Sequence, residues 1–283
     1  MDTETVLKKL EQIEDIPTLP TIVFELNELL QNPDTPITEI TDVIEKDQSM
    51  SLKILKLVNS AFYGVQSKVA DIGNAIILLG FSTVRNAILS LSVISAFKGK
   101  NSLEGFDITD FWKHSLAVAV TSKSLAQKTR KESPDSCFVA GLLHDIGKVI
   151  MAQYFQELFE KVWTAARQDT LSFYDAEKKV SDIDHSGIGA HLAEKWQLSS
   201  NFINTIKCHH DFQTEIDGYN LLLIIYLSNI IVNSYNEDPE CNVDISAMHP
   251  AAVKFMMDQI ENLQDFYSGL TSDIESAYGF FLD

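Results

Sequence analysis

The chain has 283 residues, of which 45% are hydrophobic and 22% are charged, and this composition predicts a folded protein with a sizeable core. It carries 40 acidic and 22 basic side chains, and the resulting net charge of −18 disfavours direct binding to nucleic acids and to anionic membranes. Only 12 glycines and 7 prolines interrupt the chain, which favours long helices over many short strands.

Amphipathic helices are predicted through the N-terminal third of the chain. Thr35 and Pro36 have the form of a helix start, because threonine can cap a helix and proline needs no backbone donor at the first position. No stretch alternates strictly between apolar and polar residues, so no strand competes with this interpretation. The apolar positions at helical spacing are Ile37, Ile40 and Ile44, then Leu52, Leu55, Val58 and Phe62, then Ile76, Leu79, Val84, Ala87, Ile88 and Leu91.

A polar segment with two glycines, residues 98–105, is the predicted boundary after this N-terminal helical subdomain. Helices resume near Asp110 and again at Ser133 and Pro134, which form another cap-plus-proline start. Residues 219–232 are strongly apolar but too few to cross a bilayer, so they predict a buried core helix. The predicted fold is all-α, an N-terminal helical bundle (1–100) packed on a second helical bundle (101–235), with covering helices at the C-terminus (236–283).

The cysteines and the N-terminus predict a soluble, cytoplasmic protein. Cys137, Cys208 and Cys241 are odd in number and form no CxxC pair, so they are interpreted as small hydrophobic residues in a reducing compartment. Residues 1–17 contain neither an uninterrupted apolar segment nor a small-residue cleavage site, so no secretory signal is expected.

Histidine is the residue type that points most clearly to chemistry. His144 and Asp145 follow directly after the apolar residues 138–143, so the pair is expected to be sheltered and its carboxylate to need a partner. A divalent cation would satisfy both groups, although a hydrogen-bonded His–Asp pair without metal is the commoner outcome for such a dipeptide. His209 and His210 are adjacent and diverge by about 100° on a helix, so they reach one site only if it faces the seam between them.

The remaining histidines differ in their surroundings. His114 lies on a helix with an apolar face, and Asp110 precedes it by one turn on the same face. His191 follows His185 by six residues, about 240° round a helix, so at most one of the two faces a shared pocket. We therefore interpret His191 and His249 as structural, with His249 in a turn or helix cap.

Taken in chain order, these histidines resemble the site of the HD superfamily of metal-dependent phosphohydrolases. That site gathers an H…HD…D set from several helices, and the HD-GYP branch adds further histidines. The resemblance implies that Asp145 bridges two cations and, in an enzyme, acts in catalysis together with Lys148, which matches a lysine that meets phosphate in many members. The metal ligands that it implies are His114, His144, Asp145, His185, His209 and His210.

Two departures from that pattern argue against cyclic-dinucleotide hydrolysis. The superfamily's final aspartate should lie on a helix beyond His210, where this sequence reads YLSNIIVN and offers Asn229. An amide oxygen is a neutral and poorer ligand than a carboxylate. Asn229 and Asp110 are therefore only weak candidate ligands. The GYP element is also absent from the sequence.

The N-terminal half sharpens the resemblance. The segments IPTLPTIVFELNELL (16–30), VIEKDQSMSLKILKLVNSAFYG (43–64) and DIGNAIILLGFSTVRNAIL (71–89) are similar to the HDOD family, the HD-related output domain of bacterial signalling proteins. The resemblance covers roughly residues 16–235 and departs at Gln48, where members usually carry proline. Asn59 and Ser60 are predicted to hydrogen-bond a helix end, while Phe62 and Tyr63 pack before the chain reverses at Gly64.

Two functions from different classes follow from these resemblances. We favour a metal-binding HDOD-type regulatory protein of signal transduction, whose partner is a signalling protein or a small phosphorylated ligand, with no direct binding to nucleic acid. The alternative is a metal-dependent phosphohydrolase in which a metal-activated water attacks phosphorus. One or two ions of Fe, Mn, Co or Zn suit the mixed imidazole and carboxylate set. A third interpretation, a helical scaffold protein that binds no metal, applies if the histidines do not converge on one site.

Overall fold

The regular elements of the protein are helices, as predicted for an all-α chain. The computed structural model describes residues 2–13, 16–17, 19–29, 32, 35–60, 63, 68–97, 106–237, 243 and 245–282. A short 3₁₀ helix, Ile245–Ala247, accompanies the α-helices. The α-helices are α1 (Thr3–Gln12), α2 (Thr21–Leu29), α3 (Ile37–Glu45), α4 (Gln48–Val58), α5 (Ile72–Leu79), α6 (Phe81–Phe97), α7 (Ile108–Thr129), α8 (Pro134–Leu143), α9 (Ile146–Tyr154), α10 (Gln156–Asp169), α11 (Phe173–Val180), α12 (His185–Lys195), α13 (Ser200–Cys208), α14 (Tyr219–Glu237), α15 (Pro250–Gln259), α16 (Leu263–Ser268) and α17 (Thr271–Phe281).

The chain forms two compact units, and each is discontinuous in sequence. Unit 1 consists of Met1–Ile16 and Gly99–Leu270, and unit 2 consists of Pro17–Lys98 and Thr271–Asp283. The sequence had suggested contiguous segments instead. The boundary expected at residues 98–105 lies outside the described residues.

Helix α1 belongs to unit 1 because both its apolar face and its polar groups find partners there. Val6 and Leu10 are buried. The Lys195 ammonium donates to the carbonyl oxygen of Leu10 at 2.9 Å. The Thr3 hydroxyl donates to the carbonyl oxygen of Asp182 at 3.1 Å. These partners lie far away in sequence, so helical periodicity gives no sign of them.

The end of α4 confirms the predicted role of Asn59 and Ser60. The Asn59 amide donates to the carbonyl oxygens of Leu55 and Val69 at 2.7 and 2.8 Å, and its oxygen accepts from the Val69 N–H at 2.8 Å. The Ser60 hydroxyl donates to the carbonyl oxygen of Leu57 at 2.6 Å. Asn59 therefore fastens the end of the helix to the segment that leads into α5. Phe62 and Gly64 of the same motif lie outside the described residues.

Three local predictions in unit 2 are wrong, the first being Ile37 of the predicted α3 stripe, which is 43% exposed. The Thr35 side chain does not cap α3, since its hydroxyl instead donates to the carbonyl oxygens of Leu29 and Asn32, and the residue before the helix is Pro36. Leu52 is 62% exposed, because α4 buries a face rotated from the predicted stripe. The buried side chains of α4 are Met50, Ile54, Leu57 and Val58.

Gln48, where family members usually carry proline, is the first residue of α4. Proline suits this position because its missing N–H has no helical partner there. Glutamine is equally compatible with the helix start, since the Asp47 side chain accepts from the Met50 N–H at 2.9 Å and supplies the cap.

The apolar segments lie in the interior, as predicted. Helix α8 begins at Pro134 with Ser133 as its N-cap, and the Ser133 hydroxyl accepts from Ser136 N–H. In α14, Leu222 and Val232 are fully buried. Cys137 and Cys208 are buried free thiols, and Cys241 lies outside the described residues. No single helix in the described part of the chain has the length and apolar character to span a bilayer, and α5 and α6, which reach it only in combination, are bent by 116°.

Candidate metal centre

The six predicted ligand residues meet in one cluster of unit 1, although four different stretches of chain supply them. His144 is the residue after α8 and Asp145 the residue before α9, so the pair lies at a break between two helices. Both are buried, as the preceding apolar run predicts. His114 comes from α7, His185 begins α12, and the His209–His210 pair follows the last residue of α13.

Two glycines let these helices approach closely enough to form the cluster. A Cβ on Gly141 would lie 2.8 Å from the Cα of Ala119, so α8 and α7 touch backbone to backbone. A Cβ on Gly147 would lie 1.9 Å from the carbonyl oxygen of His185. The contact between α9 and α12 at Gly147 therefore brings Asp145 to the start of α12, where His185 lies.

The first group of donors surrounds one oxygen of Asp145. Its Oδ1 atom lies 3.0 Å from His185 Nε2 and 3.3 Å from His209 Nε2. His210 Nε2 lies 3.1 Å from His185 Nε2. The donor atoms of these four residues lie within 4.8 Å of one another, a spacing that suits ligands of a single ion.

The second group shares the other oxygen of Asp145. Its Oδ2 atom lies 3.4 Å from His144 Nε2 and 3.7 Å from His114 Nε2. The Lys148 ammonium donates to the same oxygen at 2.7 Å. Each carboxylate oxygen of Asp145 thus faces its own set of imidazoles. The Lys148 ammonium partly neutralises the negative charge at Oδ2.

Hydrogen bonds to Nδ1 fix which ring nitrogen faces the cluster. His144 Nδ1 lies 2.7 Å from the carbonyl oxygen of Gly141, and His209 Nδ1 lies 2.7 Å from that of Ile206. A carbonyl oxygen only accepts, so Nδ1 carries the proton in both rings and Nε2 presents a lone pair. His185 Nδ1 likewise donates to a carboxylate oxygen of Glu177 at 2.5 Å.

Some polar atoms of the cluster lack a hydrogen-bond partner. His144 Nε2 and Asp145 Oδ1 are buried and make no hydrogen bond with the described residues. Lone pairs on imidazole and carboxylate repel when no proton lies between them, and burying them unpaired is costly. A divalent cation would accept all of these lone pairs, so the residues fit a metal ion.

The protonation states differ among the rings of the cluster. Burial lowers the pKa of His114 to about 3, with a further contribution from His144, and burial lowers the pKa of His209 to about 4. Burial would also lower the pKa of His185, but the Glu177 carboxylate outweighs it and raises that pKa to about 9. Burial would raise the pKa of Asp145, yet His144 and Lys148 hold it well below its usual value. The Asp145 carboxylate is therefore ionised and the rings of His114 and His209 are neutral, whereas Glu177 favours a proton on His185 that a bound cation would have to displace.

Sequence reasoning missed two residues of the site. Glu177, fully buried on α11, accepts from both the backbone N–H of His185 at 2.8 Å and its ring Nδ1. Tyr174 stacks on His210 with ring centroids 4.2 Å apart and planes 19° apart. Both lie in a charged stretch that is typical of a solvent-exposed helix. The available signal was weak, namely Ala176 as the apolar residue beside Glu177.

The two weak candidates lie beside the second group. Asn229 is 7% exposed, lies beside His114 and accepts from the Asn233 amide at 3.1 Å. Asp110 is exposed and lines the same cavity as His114 and Lys148. Asn229 therefore lies next to the second group, whereas Asp110 lies at the rim of the cavity.

The two histidines that were interpreted as structural lie apart from the cluster. His191 has its ring Nδ1 3.8 Å from a carboxylate oxygen of Glu194. His249 is the N-cap of α15, and its Nδ1 accepts from the Ala251 N–H at 3.2 Å, which confirms the predicted cap.

Comparison with known proteins identifies the family. A family model described as the HDOD domain matches residues 16–212. An uncharacterized protein of Treponema pallidum (strain Nichols) is 27% identical over 182 residues, which are 64% of this chain and 34% of that protein. The uncharacterized protein YuxH of Bacillus subtilis (strain 168) is 34% identical over 99 residues, which are 35% of this chain and 23% of that protein. The shared region is about a third or less of either relative.

Solved structures share the fold. An HDOD domain protein with unknown function from Geobacter sulfurreducens is 25% identical with a TM-score of 0.76, over 98% of this chain and 97% of its own. A proposed phosphohydrolase from Shewanella amazonensis SB2B is 21% identical with a TM-score of 0.73, over 96% and 97%. A proposed signal transduction protein from Marinobacter aquaeolei VT8 is 21% identical with a TM-score of 0.72, over 100% and 62%. With most of its length matched by the family model, the chain belongs to the HDOD family.

Proposed function

We propose that this chain is a regulatory protein of bacterial signal transduction that binds a divalent transition metal at the cluster centred on Asp145. The observation that carries the proposal is the meeting of three imidazole Nε2 atoms with Asp145 Oδ1 in a buried space. Three nitrogens and one carboxylate oxygen suit Fe, Mn, Co or Zn and are a poor set for Mg or Ca. The second group, His114 and His144 with Asp145 Oδ2, offers places for a second ion.

In this proposal the protein's own residues orient the ligands and hold a phosphorylated ligand. Glu177 and the carbonyl oxygens of Gly141 and Ile206 hold three rings with Nε2 toward the cluster. The Lys148 ammonium, 23% exposed, is placed to donate to a phosphate oxygen. When bound, a divalent ion would neutralise phosphate charge and lower the pKa of a coordinated water.

A second candidate function, phosphohydrolase activity, is favoured by Lys148 and by a cavity that reaches Asp145 and His114. Asn229 weighs against it, because a neutral amide stands where a carboxylate would bind an ion more tightly. The two candidate functions also imply different binding partners. A regulator needs a signalling protein or a small phosphorylated ligand, whereas an enzyme needs only its substrate.

Elemental analysis of anaerobically purified protein tests the metal. We expect one or two equivalents of Fe, Mn, Co or Zn in the wild type and a loss of the metal in the double variant His144→Ala/Asp145→Ala. The control is His191→Ala, which removes a partly buried histidine outside the cluster and should retain the metal. A wild-type protein without metal would contradict the proposal.

Hydrolysis assays on the metal-loaded protein then separate the two functions. A regulatory protein is expected to bind phosphate esters without turning them over. Turnover of phosphomonoesters or phosphodiesters that Asp145→Ala abolishes, and that His191→Ala leaves unchanged, would establish the enzyme instead.

A further inference from the structure

Beside the second donor group, unit 1 contains a cavity of about 300 Å³. His114, Asp145 and Lys148 line its polar end. This volume is at the lower limit for small-molecule sites, so the cavity suits one compact ligand rather than a dinucleotide. The rest of its wall is mainly aromatic. The aromatic lining residues are Phe106, Phe111, Phe159, Trp163 and Phe173.

The aromatic wall is held in a fixed arrangement by Phe159, which is 2% exposed. The Phe159 ring centroid lies 5.6 Å from that of Phe106, 5.4 Å from that of Phe173 and 6.5 Å from that of Trp163. Phe106, Trp163 and Phe173 are themselves partly exposed. The exposed parts of these three rings are therefore held in place by their packing against Phe159. Such fixed ring surfaces suit contact with a flat ring of a ligand.

The charges around the cavity limit the ligand to one phosphate group. Lys148 is the only lysine or arginine among the described lining residues. Asp107 and Asp110 are exposed on the same lining and would repel additional anionic groups. Asp107 is already engaged, since it accepts from the N–H groups of Thr109 and Asp110 at the start of α7.

We propose that this cavity takes a phosphate monoester whose organic part is a single flat ring, with the phosphate at Lys148 and the ring against Trp163 and Phe173. This inference rests on the proposed function, because the proposed metal ion would help to bind the phosphate group. It adds the chemical class of the ligand. It excludes polyphosphates and cyclic dinucleotides, which carry more charge or more bulk than the cavity accommodates.

Two non-hydrolysable probes of similar size test the ring preference on the wild-type protein. Benzylphosphonate carries a flat aromatic ring, and cyclohexylmethylphosphonate carries a puckered apolar ring of similar volume. Calorimetric titration of the manganese-loaded protein should give about threefold to tenfold tighter binding of benzylphosphonate. Equal affinities would overturn the inference while leaving the metal and phosphate site intact. Failure of the protein to bind manganese would instead count against the proposed function, and the preference would then be measured without metal.

Variants of the wall test where the ring lies. Trp163→Leu should abolish the preference for benzylphosphonate and leave methylphosphonate binding unchanged, and Phe173→Leu provides a second variant should the first fail to fold. Phe280→Leu, which removes a partly exposed ring in unit 2, should retain the preference. A preference that persists in both Trp163→Leu and Phe173→Leu would overturn this placement.

Discussion

Three histidines of the cluster are oriented by the group that accepts a hydrogen bond from Nδ1. His144 and His209 donate to backbone carbonyl oxygens. These acceptors are neutral, and a side-chain substitution does not remove them. His185 differs because its partner is the charged side chain of Glu177. A substitution of Glu177 can therefore change the orientation of the His185 ring without removing any of the proposed metal ligands.

Glu177→Gln is expected to weaken metal binding about 10- to 100-fold. The carboxylate accepts two hydrogen bonds from His185, one at each oxygen. An amide has only one oxygen, so one N–H of His185 would face another donor. Competition titration with a metal chelator measures the change. The matched control is Glu194→Gln, an exposed carboxylate near His191, and equal losses in both variants would contradict the prediction.

Asn229→Asp is expected to raise the metal content per chain. A carboxylate next to His114 would add charge to the second donor group, which favours a second cation. Asn236→Asp, an exposed position further along the same helix, should leave the metal content at the wild-type value. Elemental analysis of the three proteins decides, and an unchanged content in Asn229→Asp would show that this group does not take an ion.

At this scale the sequence predicted the donors but not their supports. Histidine and aspartate are rare enough in apolar surroundings that His144 and Asp145 are visible in the sequence. Glu177 has no such signal, since its partner His185 lies on α12 and its burial arises from packing that its own helix does not reveal. A residue that acts through another residue becomes visible only once the packing is known.

Among the helices, the close contacts at glycine decide the geometry of the site. Gly147 allows the backbone of α9 to touch the carbonyl oxygen of His185 at the start of α12. The sequence GLLHDIGK therefore combines two ligand residues with the glycines that bring their helices into place.

Gly147→Ala is expected to destabilise the protein by about 1–3 kcal/mol and to weaken metal binding. The added Cβ would overlap a backbone atom, which cannot rotate away, so α9 and α12 must separate and move Asp145 away from His185. Thermal unfolding and metal titration measure the two effects.

Gly73→Ala is the matched control for this prediction. Its new Cβ would meet the Asp71 carboxylate at an ordinary 3.4 Å. Because alanine is the better helix former, this variant should be unchanged or more stable by about 0.5–1 kcal/mol. A Gly147→Ala protein as stable as the wild type would contradict the close contact.

The helices themselves were largely predictable, whereas their rotations and starts were less so. Ile40 and Ile44 are buried as their spacing predicted. Leu52 is exposed although its spacing is equally helical, because the buried face of α4 is chosen by neighbouring helices and not by the helix alone. Periodicity indicates that a helix has an apolar face, but several faces can satisfy it when apolar residues are abundant.

For the molecule as a whole, the division into units depends on contacts between distant segments. The sequence suggested contiguous segments because composition changes along the chain are local. Helix α17 instead belongs with the helices of residues 17–98, and α1 with the helices that follow residue 99. No local signal in either terminal helix indicates its partners.

Ile274→Ala is expected to destabilise unit 2 by about 2–5 kcal/mol while the metal content stays unchanged. Ile274 on α17 is 4% exposed, so its removal leaves a cavity in unit 2, whereas the metal donors all belong to unit 1. Urea unfolding and elemental analysis under native conditions provide the two readouts. Glu275→Ala, an exposed neighbour, should alter neither, and a loss of metal in Ile274→Ala would contradict the prediction.

The interleaving of the two units also sets the order in which the protein can be completed during synthesis. Helix α1 is translated before the segments beyond residue 99 that cover its apolar face, so it must wait for them. Residues 17–98 of unit 2 are translated before the donor residues of unit 1, yet the last helix of unit 2 emerges only after those donors. Domains usually fold as they emerge, N-terminal first. Here that sequential route is closed, so neither unit reaches its final form as an isolated early product.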